Sequence, residues 1–134
     1  MNQTFRIPVP LRWSDLDAFN HVNNARYLTF IEQARIEWLE SMDGPWLTDA
    51  SAPVVASATI HFRRPIEYPA RIFVELFCEK LGNSSVVIGH RILAEDGTLH
   101  ADGSVVAVWV GRADGKPVPL PDAVRRASER VLQA

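Results

Sequence analysis

A single cysteine, Cys78, is all that 134 residues supply, so neither a disulfide framework nor a CxxC metal pair can form within the chain. Such scarcity fits a reducing compartment. Basic runs are absent and the formal net charge is -2, which gives nucleic acid nothing to recognise. No apolar run approaches the ~18 residues that a membrane span needs. The opening "MNQTFRIPVPLRW" lacks the uninterrupted apolar region of a signal peptide. Internal repeats and low-complexity segments are missing too. So are the GxSxG elbow and any phosphate-cradling glycine loop. What remains is an expectation of a soluble, cytoplasmic protein. Its apolar fraction of 47% is enough for the core of one domain over residues 1–134.

Phe5 to Trp13 reads as a strand that Pro8 and Pro10 make irregular or confine to an edge. From about Asn24 to Ser41 the pattern turns helical. Tyr27, Ile31, Ala34 and Trp38 fall at i, i+4, i+7 and i+11 and mark a buried stripe, which Leu28, Phe30 and Leu39 widen. Gly44 and Pro45 in "DGPWL" are stop signals. After Pro53 the period becomes two. Val54, Ala56, Ala58, Ile60 and Phe62 are expected on one face, with Val55, Ser57, Thr59, His61 and Arg63 on the other. "RIFVELFCEKL", "SSVVIGHRIL" and "LHADGSVVAVWVG" follow as strands, joined by the turns "LGNS" and "EDGT". The tail "LPDAVRRASERVLQ" reads as a short helix starting near Pro121 and Asp122. The order strand, long helix, four strands, short helix predicts an antiparallel sheet curled around the long helix. Phe73, Phe77 and Trp109, or their neighbours, are expected on the far face of the sheet, where a second subunit would cover them.

The densest chemistry lies in "WSDLDAFNHVNNARYL", just before the long helix. Asp15, Asp17, His21, Asn23 and Asn24 crowd together there. An acid before a helix start is favoured by free backbone N–H groups and the dipole, so a cap accounts for any one of them. It does not account for five. A carboxylate can attack a carbonyl or deprotonate water, and a helix N-terminus can hold an oxyanion. Together they suit acyl transfer or hydrolysis. No metal or cofactor is called for, because the paired histidines of zinc motifs are missing.

"DLDAFNHVNNARYLTFIEQAR" resembles the acyl-CoA thioesterases of the 4-hydroxybenzoyl-CoA thioesterase-like class. Its D-x-D, H-V-N-N-A-R-Y and E-x-A-R elements are similar to those of bacterial long-chain acyl-CoA thioesterases and of plant acyl-carrier-protein thioesterases. The order of elements looks like the hotdog fold. That implies an α+β architecture: a curved antiparallel five-stranded sheet wrapped around one long central helix, plus a short C-terminal helix.

The resemblance also implies roles. Asp17 matches the catalytic carboxylate, as nucleophile on a thioester or as general base for water. The backbone N–H near Asn24 would be the oxyanion donor, and His21 either orients the site or is structural. In the plant relatives an Asn and a His follow the Asp. This chain keeps His21 but has Phe19 in place of the Asn, a departure from the plant-type network that leaves Asp17, with His21 as orienter, as the reading kept. Asp15 is read as structural. Asn23 holds the loop beside the substrate, and Tyr27 is core or lines the acyl pocket. Arg63, Arg64 and Arg91 either meet the phosphates of coenzyme A or form a solvated rim. Glu32 and Arg35, three apart, are read as an ion pair. The implied partner is a second copy of the chain, in a homodimer or homotetramer with sites at the interface. Its strand would bring Ser57, Thr59 and His61. The implied activity is acyl-CoA hydrolysis to free acid and coenzyme A. An acyl-carrier-protein thioesterase and a non-catalytic acyl-binding protein are the alternatives.

Overall fold

The computed structural model describes residues 3–133. Strand β1 (Phe5–Val9) comes first, followed by a short 3-10 turn at Trp13–Asp15 and helix α1 (Asn24–Glu40). Then come β2 (Ser51–Phe62), β3 (Ile72–Leu81), β4 (Ser85–Ala94), β5 (Leu99–Gly111) and helix α2 (Asp122–Arg130). The strands form one antiparallel sheet in the order β1-β3-β4-β5-β2. This is the hotdog architecture, and it bears out the expected element order. The prolines act as read: β1 is a five-residue edge strand that ends at Val9.

Helix α1 forms because its apolar residues recur at helical spacing. Tyr27, Ile31, Ala34 and Trp38 are all buried, and Phe30 and Leu39 join them. Leu28, expected to widen the stripe, is instead exposed. The helix ends before "DGPWL": Ser41 caps it, its hydroxyl donating to the Trp38 carbonyl at 2.6 Å. Facing the helix are Val74, Leu76, Val86, Ile88, Ile92, Val105 and Ala107, all buried. Helix α2 adds Val124 and Ala127 to the same core. Cys78 is buried there, and burial raises its thiol pKa.

Two expectations about faces fail. The ladder between β2 and β5 runs Val55 to Ala107 and then Ser57 to Val106, so Ala56 is an extra residue in a β-bulge. A one-residue bulge exchanges the two faces. Val55, not Val54 or Ala56, therefore shares a face with Ala58, Ile60 and Phe62. Trp109 pairs with Pro53 on the helix side and is buried; its indole N–H donates to the Trp46 carbonyl at 2.8 Å. It is not on the far face as expected. Phe73 and Phe77 are on that face, half-buried, and each carries a guanidinium on its ring. Arg6 lies 4.2 Å from the Phe73 centroid and Arg91 4.3 Å from that of Phe77.

One buried group stands out. His90 on β4 shares a face with Ile88 and Ile92, is fully buried, and has no hydrogen-bond partner on either ring nitrogen among the described residues. It is paired with Gly103 of β5, whose φ is 154°. A Cβ at Gly103 would collide with the Thr59 carbonyl and lie 2.8 Å from His90 Nε2, so glycine leaves the space the imidazole needs. Burial lowers the His90 pKa from 6.5 to about 4, and Arg35 adds slightly; the Thr59 backbone and Asp102 oppose it without offsetting it. A histidine with a lower pKa folded than unfolded stabilises the fold above its unfolded pKa and loses that contribution as pH falls. Stability is therefore expected to drop by up to ~3 kcal/mol between about pH 6.5 and about pH 4. Urea midpoints for wild type and His90→Leu across this window check it: the variant's pH slope should be flatter by that amount.

Candidate active site

The polar loop before α1 is a tight hairpin. Leu16 and Val22 form an antiparallel bridge, and between them the Asp17 N–H donates to the His21 carbonyl at 2.8 Å. Asn20 closes the turn with φ 59°, a left-handed conformation that Asn tolerates well. The hairpin is pinned to the segment after β2. Val22 N–H donates to the Ile66 carbonyl at 2.9 Å, and the Asn20 amide exchanges two bonds with the Tyr68 backbone, at 3.3 and 3.4 Å.

Underneath lies Asp15, which is completely buried. Its carboxylate accepts from the Arg12 N–H at 2.9 Å and the Arg12 guanidinium at 3.1 Å; Arg26 of α1 is 3.8 Å away. Its carbonyl accepts from the Asn23 N–H at 2.9 Å. The structural reading of Asp15 therefore fits, and more is tied to it than a turn.

Asp17 is exposed. Its Oδ1 accepts from the backbone N–H groups of Phe19 (2.8 Å) and His21 (3.2 Å), and no hydrogen bond among the described residues engages Oδ2. One oxygen thus fixes the side chain and the other is free. At the start of α1 the Asn23 side chain caps the Ala25 N–H at 3.0 Å, and the Asn23 carbonyl takes the Arg26 N–H at 2.8 Å. The Asn24 N–H, first in the helix, has no acceptor among the described residues. It carries the positive end of the helix dipole.

These groups share a cleft of about 380 Å³, lined by Asp17, His21, Val22, Asn24 and Tyr27 on one side and Phe62 to Pro65 on the other. Tyr27 is buried and meets the Phe62 ring edge-to-face at 5.0 Å between centroids. Burial raises the Tyr27 phenol pKa, with the Ile66 backbone opposing. His21 lines the cleft, but its link to Asp17 runs through its backbone.

Other expected residues are elsewhere. Thr59 and His61 pair with Ser104 and Asp102, on the sheet face away from α1, where they border a separate cleft with Phe77 and Arg91. Ser57 lies on the exposed part of β2, outside both clefts. Arg63 borders both, yet its Nε and Nη2 each sit 3.0 Å from Asp102 Oδ1. Arg91 is likewise held by Glu75 at 3.3 Å. Arg64 is the cleft cation with no ion pair among the described residues. Nothing local in the sequence separates it from Arg63, because Asp102 is brought in by strand pairing from 39 residues away. Among the described residues no group of three or more His, Cys, Asp or Glu gathers to hold a metal, and no helix is long and apolar enough to cross a membrane.

The model of the thioesterase-like superfamily matches residues 11–128, from the end of β1 into α2. The chain belongs to that superfamily. Membership places it among thioester hydrolases. It is 30% identical over 128 residues to the long-chain acyl-CoA thioesterase FadM of Escherichia coli, covering 93% of this chain and 97% of that one. A solved putative acyl-CoA thioesterase from Xanthomonas campestris is 43% identical, with a TM-score of 0.77 over 87% of this chain and 99% of its own. A Thermus thermophilus thioesterase solved with coenzyme A and Zn is 37% identical, with a TM-score of 0.76 over 94% of this chain and 95% of its own.

Asp15→Ala removes the acceptor of the Arg12 N–H and frees the guanidinia of Arg12 and Arg26. A loss of about 2–4 kcal/mol is expected in chemical denaturation, with hydrogen exchange speeding first in residues 12–26.

Proposed function

We propose that the protein hydrolyses an acyl-CoA thioester to the free acid and coenzyme A, with Asp17 as the catalytic carboxylate. The observation that carries this reading is the pairing, in one cleft, of a carboxylate with an uncommitted oxygen and an unpaired helix N-terminal N–H. The acyl-CoA thioesterase names of the relatives above support the substrate class.

The chemistry follows from the groups. The thioester carbonyl oxygen takes the Asn24 N–H, which stabilises the negative charge that develops on it. Asp17 then either attacks the carbonyl carbon through Oδ2 or removes a proton from the water that does. Collapse of the tetrahedral species breaks the C–S bond, and the thiolate leaves and takes up a proton. Where Asp17 attacks, water hydrolyses the resulting mixed anhydride. His21 and Asn23 keep the hairpin and the helix start in register. Tyr27 and Phe62 wall the acyl side, and Arg64 is the best-placed cation for a phosphate of coenzyme A.

We further propose that the site is completed by a second copy, in the cytoplasm. Strand β2 is a twelve-residue edge strand with exposed Val54, Val55 and Phe62, so it can pair with another β2. Such pairing would bring the partner's copies of Ser57, Thr59 and His61 toward this cleft.

Asp17→Asn is the decisive variant. The amide oxygen can still accept from Phe19 and His21, so the hairpin and Tm should hold, while kcat/KM against an acyl-CoA panel falls roughly a hundred- to ten-thousandfold. A full rate in this variant sinks the assignment; a wild type that releases no thiol from any ester sinks the hydrolase reading.

A further inference from the structure

The Asp17 hairpin hangs from few points. Residues 17–21 bond mostly to one another: the Asn20 N–H donates to the Asp17 carbonyl at 3.1 Å, and the Asp17 N–H to the His21 carbonyl at 2.8 Å. Among the described residues, the only hydrogen bonds that tie these five to another segment come from the Asn20 side chain. Asn20 lies between the D-x-D and H-V-N-N-A-R-Y elements and belongs to neither.

Its backbone matters first. With φ 59° it is left-handed, and it stands between the two residues whose N–H groups hold Asp17. A left-handed residue next to right-handed ones turns the peptide planes so that nearby N–H groups converge on one anion. Phe19 and His21 converge in this way on Asp17 Oδ1, at 2.8 and 3.2 Å. Asn and Gly adopt this conformation readily, and most other side chains resist it.

The side chain adds the external tie. Its Nδ2 donates to the Tyr68 carbonyl at 3.4 Å, and its Oδ1 accepts from the Tyr68 N–H at 3.3 Å. Each bond is long, but the pair fixes the plane of the amide as well as its place. Tyr68 is held in turn. Its ring meets that of Trp13 edge-to-face at 5.5 Å between centroids, and Trp13 opens the 3-10 turn that contains Asp15. The cleft wall opposite Asp17, Phe62 to Pro65, leads directly into Ile66–Tyr68. The amide therefore joins the two sides of the cleft near the hairpin tip, as the Val22–Ile66 bond does at its base.

We propose that Asn20 is a positioning residue for the reaction. Its left-handed backbone sets the orientation of the Asp17 carboxylate, and its amide sets the place of the hairpin against the opposite wall. This rests on the Asp17 reading above.

Asn20→Gly keeps the left-handed backbone and removes the amide. It should lower kcat about tenfold and leave KM within about twofold of wild type, because a displaced carboxylate costs rate more than binding. Asn20→Asp keeps an acceptor for the Tyr68 N–H and should recover part of the loss. Asn20→Ala lacks both contributions and should be slowest. In an Asp17→Asn background, Asn20→Gly should cost nothing further. A wild-type kcat in Asn20→Gly overturns the proposal. So does an equal further loss in the Asp17→Asn background, since Asn20 would then act by another route. Hydrogen exchange separates the two layers. In Asn20→Gly the Phe19 and His21 amides should exchange about tenfold faster while the core amides keep their rates. Faster exchange throughout the chain overturns the proposal, since Asn20 would then serve stability alone. If wild type cleaves no ester but the change is confined to the hairpin, the hydrolysis reading fails and the placement of Asp17 by Asn20 stands; unchanged Phe19 and His21 exchange overturns it.

Discussion

Asp15 is the anchor on which the geometry of the cleft depends. A carboxylate with no exposed surface must be matched by donors, and it draws them from both sides of the hairpin. Arg12 comes from the end of the first strand's segment, Arg26 from the first turn of α1, and the Asn23 N–H meets the same residue's carbonyl. The entry of the chain into the helix is therefore fixed relative to the sheet edge. That in turn fixes where the unpaired Asn24 N–H sits and how the Asp17 hairpin projects. Two acids spaced two apart differ sharply: Asp15 is buried and fully engaged, while Asp17 is exposed and keeps one carboxylate oxygen outside any hydrogen bond among the described residues.

The two elements carry different kinds of constraint. The hairpin is held by hydrogen bonds, among them those from Val22 and Asn20 to the Ile66–Tyr68 segment. The helix is held by packing, with Tyr27, Ile31, Ala34 and Trp38 buried against the sheet. Directional bonds suit a segment that must hold a side chain in one orientation.

Much of this was legible before any coordinates. The helix stripe at i, i+4, i+7 and i+11 is a strong periodic signal, and the turns around Gly82 and Gly97 marked the strand ends. The start of α1 was legible because a cluster of Asp and Asn ahead of an apolar stripe marks a capped helix start. Leu28 was misread because an apolar residue on the flank of a stripe is covered only if something packs there. The β2 faces were misread because the bulge at Ala56 leaves no compositional mark: Val, Val, Ala, Ser fits either alternation. Trp109 was misread on its own account, since its face follows from the unbroken alternation of Ala101, Gly103, Val105 and Ala107 along β5. The commitment of Arg63 to Asp102 was invisible for another reason, since a cross-strand neighbour is set by register and not by proximity in sequence.

The two edges of the sheet are unequal, and that limits growth. Strand β1 offers five residues, with Pro8 lacking an N–H and Pro10 following it. Strand β2 offers twelve. A sheet extended by joining two β2 edges ends on both sides in a β1 strand, so the union is closed after one step. Edge-to-edge polymerisation, the hazard of any open sheet, would have only this short edge from which to continue. The short, proline-marked β1 is thus the poorer of the two edges on which any further strand could pair.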